Sequence, residues 1–128
     1  MQLSDSDFYS YLATVLWSGN DESTPQGGEP LDKNYDRDDF DAEGLKKQRS
    51  QCQQFVDKNK EIIEKLIEDG HEMSTIMHDF WLTRNGHGAG FWDGDYPEPV
   101  GEVLTDSVRT FGDVYVYVGD DNTLYFSP

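Results

Sequence analysis

Apolar residues recur at intervals of three and four along most of the chain, the spacing that places them on one face of an α-helix. This pattern predicts four helices, and a glycine or an Asn-Gly pair stands at the end of each as a stop signal. The predicted ranges are 4–17, 41–69, 72–85 and about 99–111. In the long second helix the apolar residues follow a heptad repeat, in which Asn59 occupies a position that can fix the register of a helical pairing. In the fourth helix the residues expected to face inward are Val100, Val103, Leu104, Val108 and Phe111.

Residues 113–127 alternate in the two-residue period of β-strands. The alternating residues are Val114, Tyr115, Val116, Tyr117 and Val118. A turn at Gly119–Asn122 then predicts a β-hairpin, which must pack on the helices because an isolated hairpin is marginal. Phe91 and Trp92 are candidates for a short third strand. The predicted fold class is therefore α+β, mostly helical with about four helices, and with a C-terminal β-hairpin or small antiparallel sheet.

The length of 128 residues suits one domain spanning 1–128. Its least regular part is 19–40, which is rich in Gly, Pro, Asn and Asp and predicts a long loop, ordered in part by contacts or mobile. The aromatic fraction is 13%, with 3 Trp, 7 Tyr and 7 Phe. This content argues for a packed core and against a disordered acidic chain.

Charge narrows the choice of partners. There are 26 acidic and 10 basic residues, a formal net charge of −16. Such a chain repels nucleic acid and anionic membranes and attracts basic protein surfaces. The single cysteine, Cys52, cannot form an internal disulfide and indicates a reducing compartment, and the acidic start shows neither a signal peptide nor a membrane-spanning run.

The long second helix carries carboxylates at steps of four, three and four. Asp57, Glu61, Glu64 and Glu68 should therefore form one solvent-facing row, with about 4.5–6 Å between neighbours along the axis. Such a row is similar to a phosphate backbone in charge and pitch. The alternative is an ordinary solvated face, softened by the lysines of the same helix.

Further acidic residues are spread over the whole chain. Asp93 and Asp95 follow a glycine-rich segment, and Asp120 and Asp121 stand in the predicted hairpin turn. Fixed carboxylates distributed over a rigid, aromatic-rich domain are what a mimic of DNA requires. We therefore take these four residues as additional candidates for partner contact.

The segment 84–93 is a candidate small-ligand or enzyme site. Arg84, Asn85, His87 and Trp92 surround a glycine-rich loop there. The segment lacks the strand-to-helix context and the lysine of a phosphate-binding loop, so the alternative is that its glycines serve close packing.

No metal or other cofactor is predicted. Residues 32–43 place oxygen-bearing side chains at positions 1, 3, 5, 7 and 12 of a calcium loop, from Asp32 to Glu43. Arg37, however, occupies the sixth position, where the loop needs glycine, and no entering helix is predicted.

The run His78–Asp93, HDFWLTRNGHGAGFWD, resembles a family of small acidic proteins encoded by tailed bacteriophages and related mobile elements. The resemblance continues through 101–105 and 117–121, and covers roughly the C-terminal half. The family has no settled activity, so the resemblance assigns no functional residue. It does imply a phage setting, in which small acidic proteins often counter restriction or other nucleic-acid-directed defence, some by imitating DNA.

The sequence thus predicts a non-enzymatic inhibitor that acts in the bacterial host cytoplasm. By DNA mimicry it would occupy the basic surface of a host or defence nucleic-acid-binding protein, as in anti-restriction. Two alternatives stay open: a ligand or enzyme site at 84–93, and a structural or assembly protein that self-associates, as a homodimer for example, through the heptad face of the long helix.

Overall fold

The computed structural model describes residues 2–21, 28–86, 90–91 and 96–127. Within these ranges it contains helices and two small antiparallel sheets, which confirms the α+β class. The helices are α1 (Asp5–Ser18), α2 (Ala42–Lys58), α3 (Lys60–Glu68), α4 (Met73–Arg84) and α5 (Val100–Arg109). The strands are β1 (Asn20–Asp21), β2 (Glu29–Pro30), β3 (Tyr115–Val118) and β4 (Leu124–Ser127).

The helix starts follow ordinary capping chemistry. The Ser4 side chain accepts from the backbone N–H of Asp7 at the start of α1, and the Asp41 side chain accepts from that of Gly44 at the start of α2. At the other end of α1, Gly19 bonds back to the carbonyl of Val15. Gly44 also serves tertiary packing, because a Cβ there would lie 2.9 Å from the ring of Phe126 on β4.

The prediction of one helix over 41–69 was wrong at Asn59, where α2 ends and α3 begins. Asn59 has φ −117° and ψ 26°, outside helical values. Its side-chain amide donates to the carbonyl of Phe55 at 2.9 Å and to the hydroxyl of Ser107 on α5 at 2.8 Å. A side chain that bonds the backbone four residues earlier competes with regular helix geometry, and here it also ties the break to α5.

The buried apolar side chains form one core, into which all five of these helices and the hairpin contribute. α1 packs mainly against α4, and α4 also packs against α5. Val103 was wrongly expected to face inward and is 41% exposed. The buried face of α5 passes through Gly101, Leu104 and Val108, and Val103 lies beyond its edge.

The C-terminal hairpin packs on this core through one face. β3 and β4 pair antiparallel, with Tyr117 opposite Tyr125 and Val118 opposite the buried Leu124. The carbonyl of Leu124 accepts from the backbone N–H of Asp41, which joins the hairpin to the start of α2.

The described part of segment 19–40 is ordered by short elements. β1 pairs with β2, and two 3₁₀ turns cover Leu31–Lys33 and Arg37–Asp39. The suggested third strand is wrong at Phe91, which lies in a turn, while Trp92 lies outside the described residues. In the described ranges, the helices are too short or too polar to cross a bilayer.

Candidate partner-binding surface

Asp57, Glu61, Glu64 and Glu68, here called the acidic stripe, are all exposed. Asp57 lies in the last turn of α2, and the other three belong to α3. At 3.6 residues per turn they lie opposite the buried side chains of the same helices. Those buried residues are Cys52, Phe55, Val56, Asn59, Ile63 and Leu66. Because this buried face stays in phase through Asn59, the break in the helix does not displace Asp57 from the row.

The lysines beside the acidic stripe neutralise little of it. Lys58 turns away, donating to the hydroxyl of Thr110 at 3.0 Å. Lys65 pairs with Asp69, outside the stripe. Lys60 lies 3.8 Å from Glu64, a distance that gives an exposed pair little energy. In the described part of the chain, Glu64 is thus the one stripe carboxylate with an ion pair.

The acidic stripe spans about 16 Å at the helical rise of about 1.5 Å per residue. Its charges follow at about 4.5–6 Å, more widely than the phosphates of a DNA strand at about 3.4 Å along the axis, so the expected likeness to a phosphate backbone holds in charge but not in pitch. Two further exposed carboxylates, Asp69 and Glu72, follow directly after α3 and extend the negative surface.

Asp120 and Asp121 are both exposed in the hairpin turn, but Asp121 is also part of its structure. Its carboxylate accepts from the backbone N–H of Thr123 at 3.1 Å and from the hydroxyl of Tyr125 at 2.7 Å. These two hydrogen bonds, that of Tyr125 foremost, hold the pKa of Asp121 below its ordinary value. Asp120 is the freer of the two for contact with a partner.

The structure places Arg84 inside the domain. The side chain is 4% exposed, and its guanidinium donates to the carbonyls of Phe111 and Gly112 and to side chains of α1 and α2. Those side-chain acceptors are the oxygens of Tyr11, Gln48 and Gln51. The five hydrogen bonds direct Arg84 to the interior, where it ties α4 to α1, α2 and the segment after α5.

Asn85 also has a structural role, since its side-chain amide donates to the carbonyl of Trp81 and accepts from the backbone N–H of Val114. A cavity of about 260 Å³ lies beside Arg84, lined by Gly86, Arg109 and Asp113 among others. This volume is below the usual range of small-molecule sites. His87, Trp92, Asp93 and Asp95 lie outside the described residues.

The residues with calcium-loop spacing form a different structure. Asp36 caps the second 3₁₀ turn by accepting from the backbone N–H of Asp38, and Asp39 accepts from that of Asp36. Arg37 lies over the ring of Tyr9 at 3.9 Å. Within the described ranges, no group of three or more acidic, His or Cys side chains is arranged to hold a metal ion.

The heptad face of α2 and α3 is occupied within the chain. Cys52, Phe55 and Leu66 of the repeat are buried in the core, and Leu45 and Ile62 are partly buried against it, so self-association through this face would require the domain to open. Burial also raises the pKa of the Cys52 thiol, which keeps it protonated and a poor nucleophile.

Sequence reasoning missed one surface, the tyrosine face, which consists of Tyr115, Tyr117 and Tyr125. These side chains project from the side of the hairpin opposite Val116 and Leu124. The available signal was the alternation that predicts β3, since it implies that the tyrosines and the valines of this strand face opposite ways.

Comparison of the chain with protein-family models, with curated proteins and with solved structures gives no match. The proposed function therefore rests on the residues, on their geometry and on the sequence resemblance of 78–93.

Proposed function

We propose that this protein binds the basic surface of a nucleic-acid-binding protein of a bacterial host or of its defence systems, and blocks that surface as a mimic of DNA. The observation that carries the proposal is the acidic stripe, a row of exposed carboxylates fixed on packed helices, of which only Glu64 has an ion pair with a lysine in the described part of the chain.

The exposure of the acidic residues supports the same function. Among those that the structure describes, only Asp21 and Asp79 are buried, so nearly all the negative charge reaches the surface. A fixed, unneutralised field of this kind steers a basic partner into contact and excludes nucleic acid from the same groove. Binding rather than catalysis is favoured because Cys52 and Arg84, two residues of catalytic type, are both held in the core.

The resemblance of 78–93 to acidic phage proteins points to the setting of an anti-restriction or anti-defence inhibitor. The proposed mechanism is competitive occlusion, in which carboxylates take the places of phosphates. It requires neither a cofactor nor a metal.

The test is a charge reversal with a matched control. In the first variant Asp57, Glu61, Glu64 and Glu68 are changed to Lys. In the second the same number of exposed carboxylates elsewhere, Asp32, Glu98, Glu102 and Asp106, are changed to Lys, which gives the same net charge.

Each tagged protein is incubated with bacterial lysate, and retained proteins are identified before and after addition of duplex DNA. We expect the wild type and the control variant to retain a nucleic-acid-binding protein that duplex DNA releases, and the stripe variant to lose it. Retention of the same partner by a folded stripe variant would contradict the proposal.

A further inference from the structure

The tyrosine face is the most exposed aromatic surface of the described hairpin. Tyr115 and Tyr117 are 62% and 46% exposed. Their ring centroids lie 6.3 Å apart, and the Tyr117 ring stacks on that of Tyr125 at 5.5 Å with 22° between the planes. Three rings therefore form a continuous surface, whereas isolated exposed aromatics would need no explanation.

The Tyr125 ring is held in place by the turn. A Cβ on Gly119 would lie 2.5 Å from that ring, so glycine at this position allows the ring to lie against the turn backbone. The Tyr125 hydroxyl donates to the Asp121 carboxylate at 2.7 Å. A ring fixed in this way loses little conformational entropy when a partner binds.

Charge at this surface favours a cation. Exposed carboxylates stand at both ends of β3, Asp113 before it and Asp120 and Asp121 after it. No lysine or arginine follows Arg109 in the sequence. The faces of aromatic rings are themselves electron-rich, so rings and carboxylates attract the same kind of group.

From this arrangement we infer that the tyrosine face binds arginine side chains of a basic protein segment, whose guanidinium planes stack on the rings while the flanking carboxylates accept their hydrogen bonds. Guanidinium suits both contacts, because it is planar, stacks on aromatic rings and pairs with carboxylates through two parallel hydrogen bonds.

The inference rests on the proposed function and adds a second contact to it. Proteins that bind single-stranded nucleic acid combine contacts to phosphates with stacking on bases. In a mimic, the carboxylates of the acidic stripe would take the place of the phosphates, and the rings of the tyrosine face would take the place of the bases. Nucleic acid itself and a second copy of this chain are disfavoured as occupants, since both would bring more negative charge to an acidic surface.

The experiment uses the full chain and a synthetic arginine-rich peptide, with a lysine peptide of equal length and charge for comparison. Tyr115→Leu and Tyr117→Leu remove a ring but keep an apolar side chain, and Tyr117→Phe keeps the ring. We expect each leucine variant to bind the arginine peptide about two- to fivefold more weakly. The phenylalanine variant should bind as the wild type does, and the lysine peptide should respond less to loss of a ring.

Ring resonances of the tyrosines, followed by NMR during the titration, locate the contact independently of affinity. Thermal unfolding of every variant shows whether the hairpin is intact. Wild-type affinity in both folded leucine variants, with no shift of the ring resonances, would overturn the inference.

The stripe variant described above separates this inference from the proposed function. If only the stripe variant loses the natural partner, and the leucine variants bind both that partner and the arginine peptide as the wild type does, the tyrosine inference fails and the proposed function stands. If only the leucine variants lose the natural partner, the inference about the tyrosine face stands and the proposed role of the acidic stripe fails. If the leucine variants instead change self-association in sedimentation, or binding of a single-stranded oligonucleotide, the inference is overturned.

Discussion

At the scale of single residues, Arg84 shows how a site suggested by sequence can become part of the core. A buried guanidinium with five hydrogen bonds leaves several acceptors unsatisfied when it is removed. We expect Arg84→Ala to lower the free energy of unfolding by about 3–5 kcal/mol.

The matched control is Arg109→Ala. Arg109 pairs with Asp106 on the surface, and its loss should change stability by no more than about 0.5 kcal/mol. Denaturant unfolding of both variants measures the difference. A stable Arg84→Ala variant that loses binding of a small molecule would instead favour a ligand site at 84–93.

The pair Asp121 and Tyr125 predicts a pH dependence of hairpin stability. The hydrogen bond between them lowers the pKa of Asp121 below its ordinary value of 3.8 and raises the pKa of Tyr125 above its ordinary value of 10.0. The contribution of Asp121 is therefore present above pH 3.8 and is lost as the pH falls through the lowered pKa. The contribution of Tyr125 is present below pH 10.0 and is lost as the pH rises through the raised pKa.

Thermal unfolding of wild type and of Tyr125→Phe across this range checks the prediction. The wild type should be the more stable at neutral pH, and the difference should shrink at both extremes. A difference that does not change with pH would show that the hydrogen bond is absent in solution.

At the scale of elements, periodicity predicted most of the fold because the sequence places apolar residues where the helices need them. α1 runs from Asp5 to Ser18, within one residue of the predicted range 4–17 at each end, and stops at the glycine that follows. The break at Asn59 could not be predicted in this way, since it depends on a hydrogen bond to Ser107, which is distant in sequence. The heptad pattern did mark Asn59 as a residue for pairing, although the pairing is with α5 of the same chain.

We expect Asn59→Ala to destabilise the protein by about 1–2 kcal/mol, because two hydrogen bonds are lost and the better helix propensity of alanine offsets only part of them. A double-mutant cycle with Ser107→Ala isolates the contact between Asn59, at the break, and α5. A coupling energy near zero would mean that the break has another cause.

The candidate sites were less predictable than the fold. Exposure of the acidic stripe followed from the helical period, since residues opposite an apolar face reach solvent. The directions of Lys58 and Arg84 did not follow, because they depend on side chains and carbonyls brought together only by packing. The tyrosine face could be predicted in part. The alternation of residues indicates on which side of the hairpin the tyrosines lie, but the contact of Tyr125 with Gly119 depends on the geometry of the turn.

At the scale of the whole molecule, composition determines the sign of the electrostatic field, and the fold determines where on the surface the charges lie. A net charge of −16 on a packed domain opposes self-association and favours basic partners. The helices then hold the acidic stripe on the opposite side from the core, so that a partner can reach it without any rearrangement of the domain.

Competitive occlusion of the DNA-binding surface of a partner can be measured by an equilibrium titration. The partner retained by the wild-type protein is purified and bound to a labelled DNA duplex at increasing concentrations of this protein. We expect the apparent Kd for DNA to rise linearly with the concentration of free wild-type protein, without a plateau, and not to change with the stripe variant. A ternary complex of DNA, partner and this protein, or equal inhibition by the stripe variant, would contradict competitive occlusion.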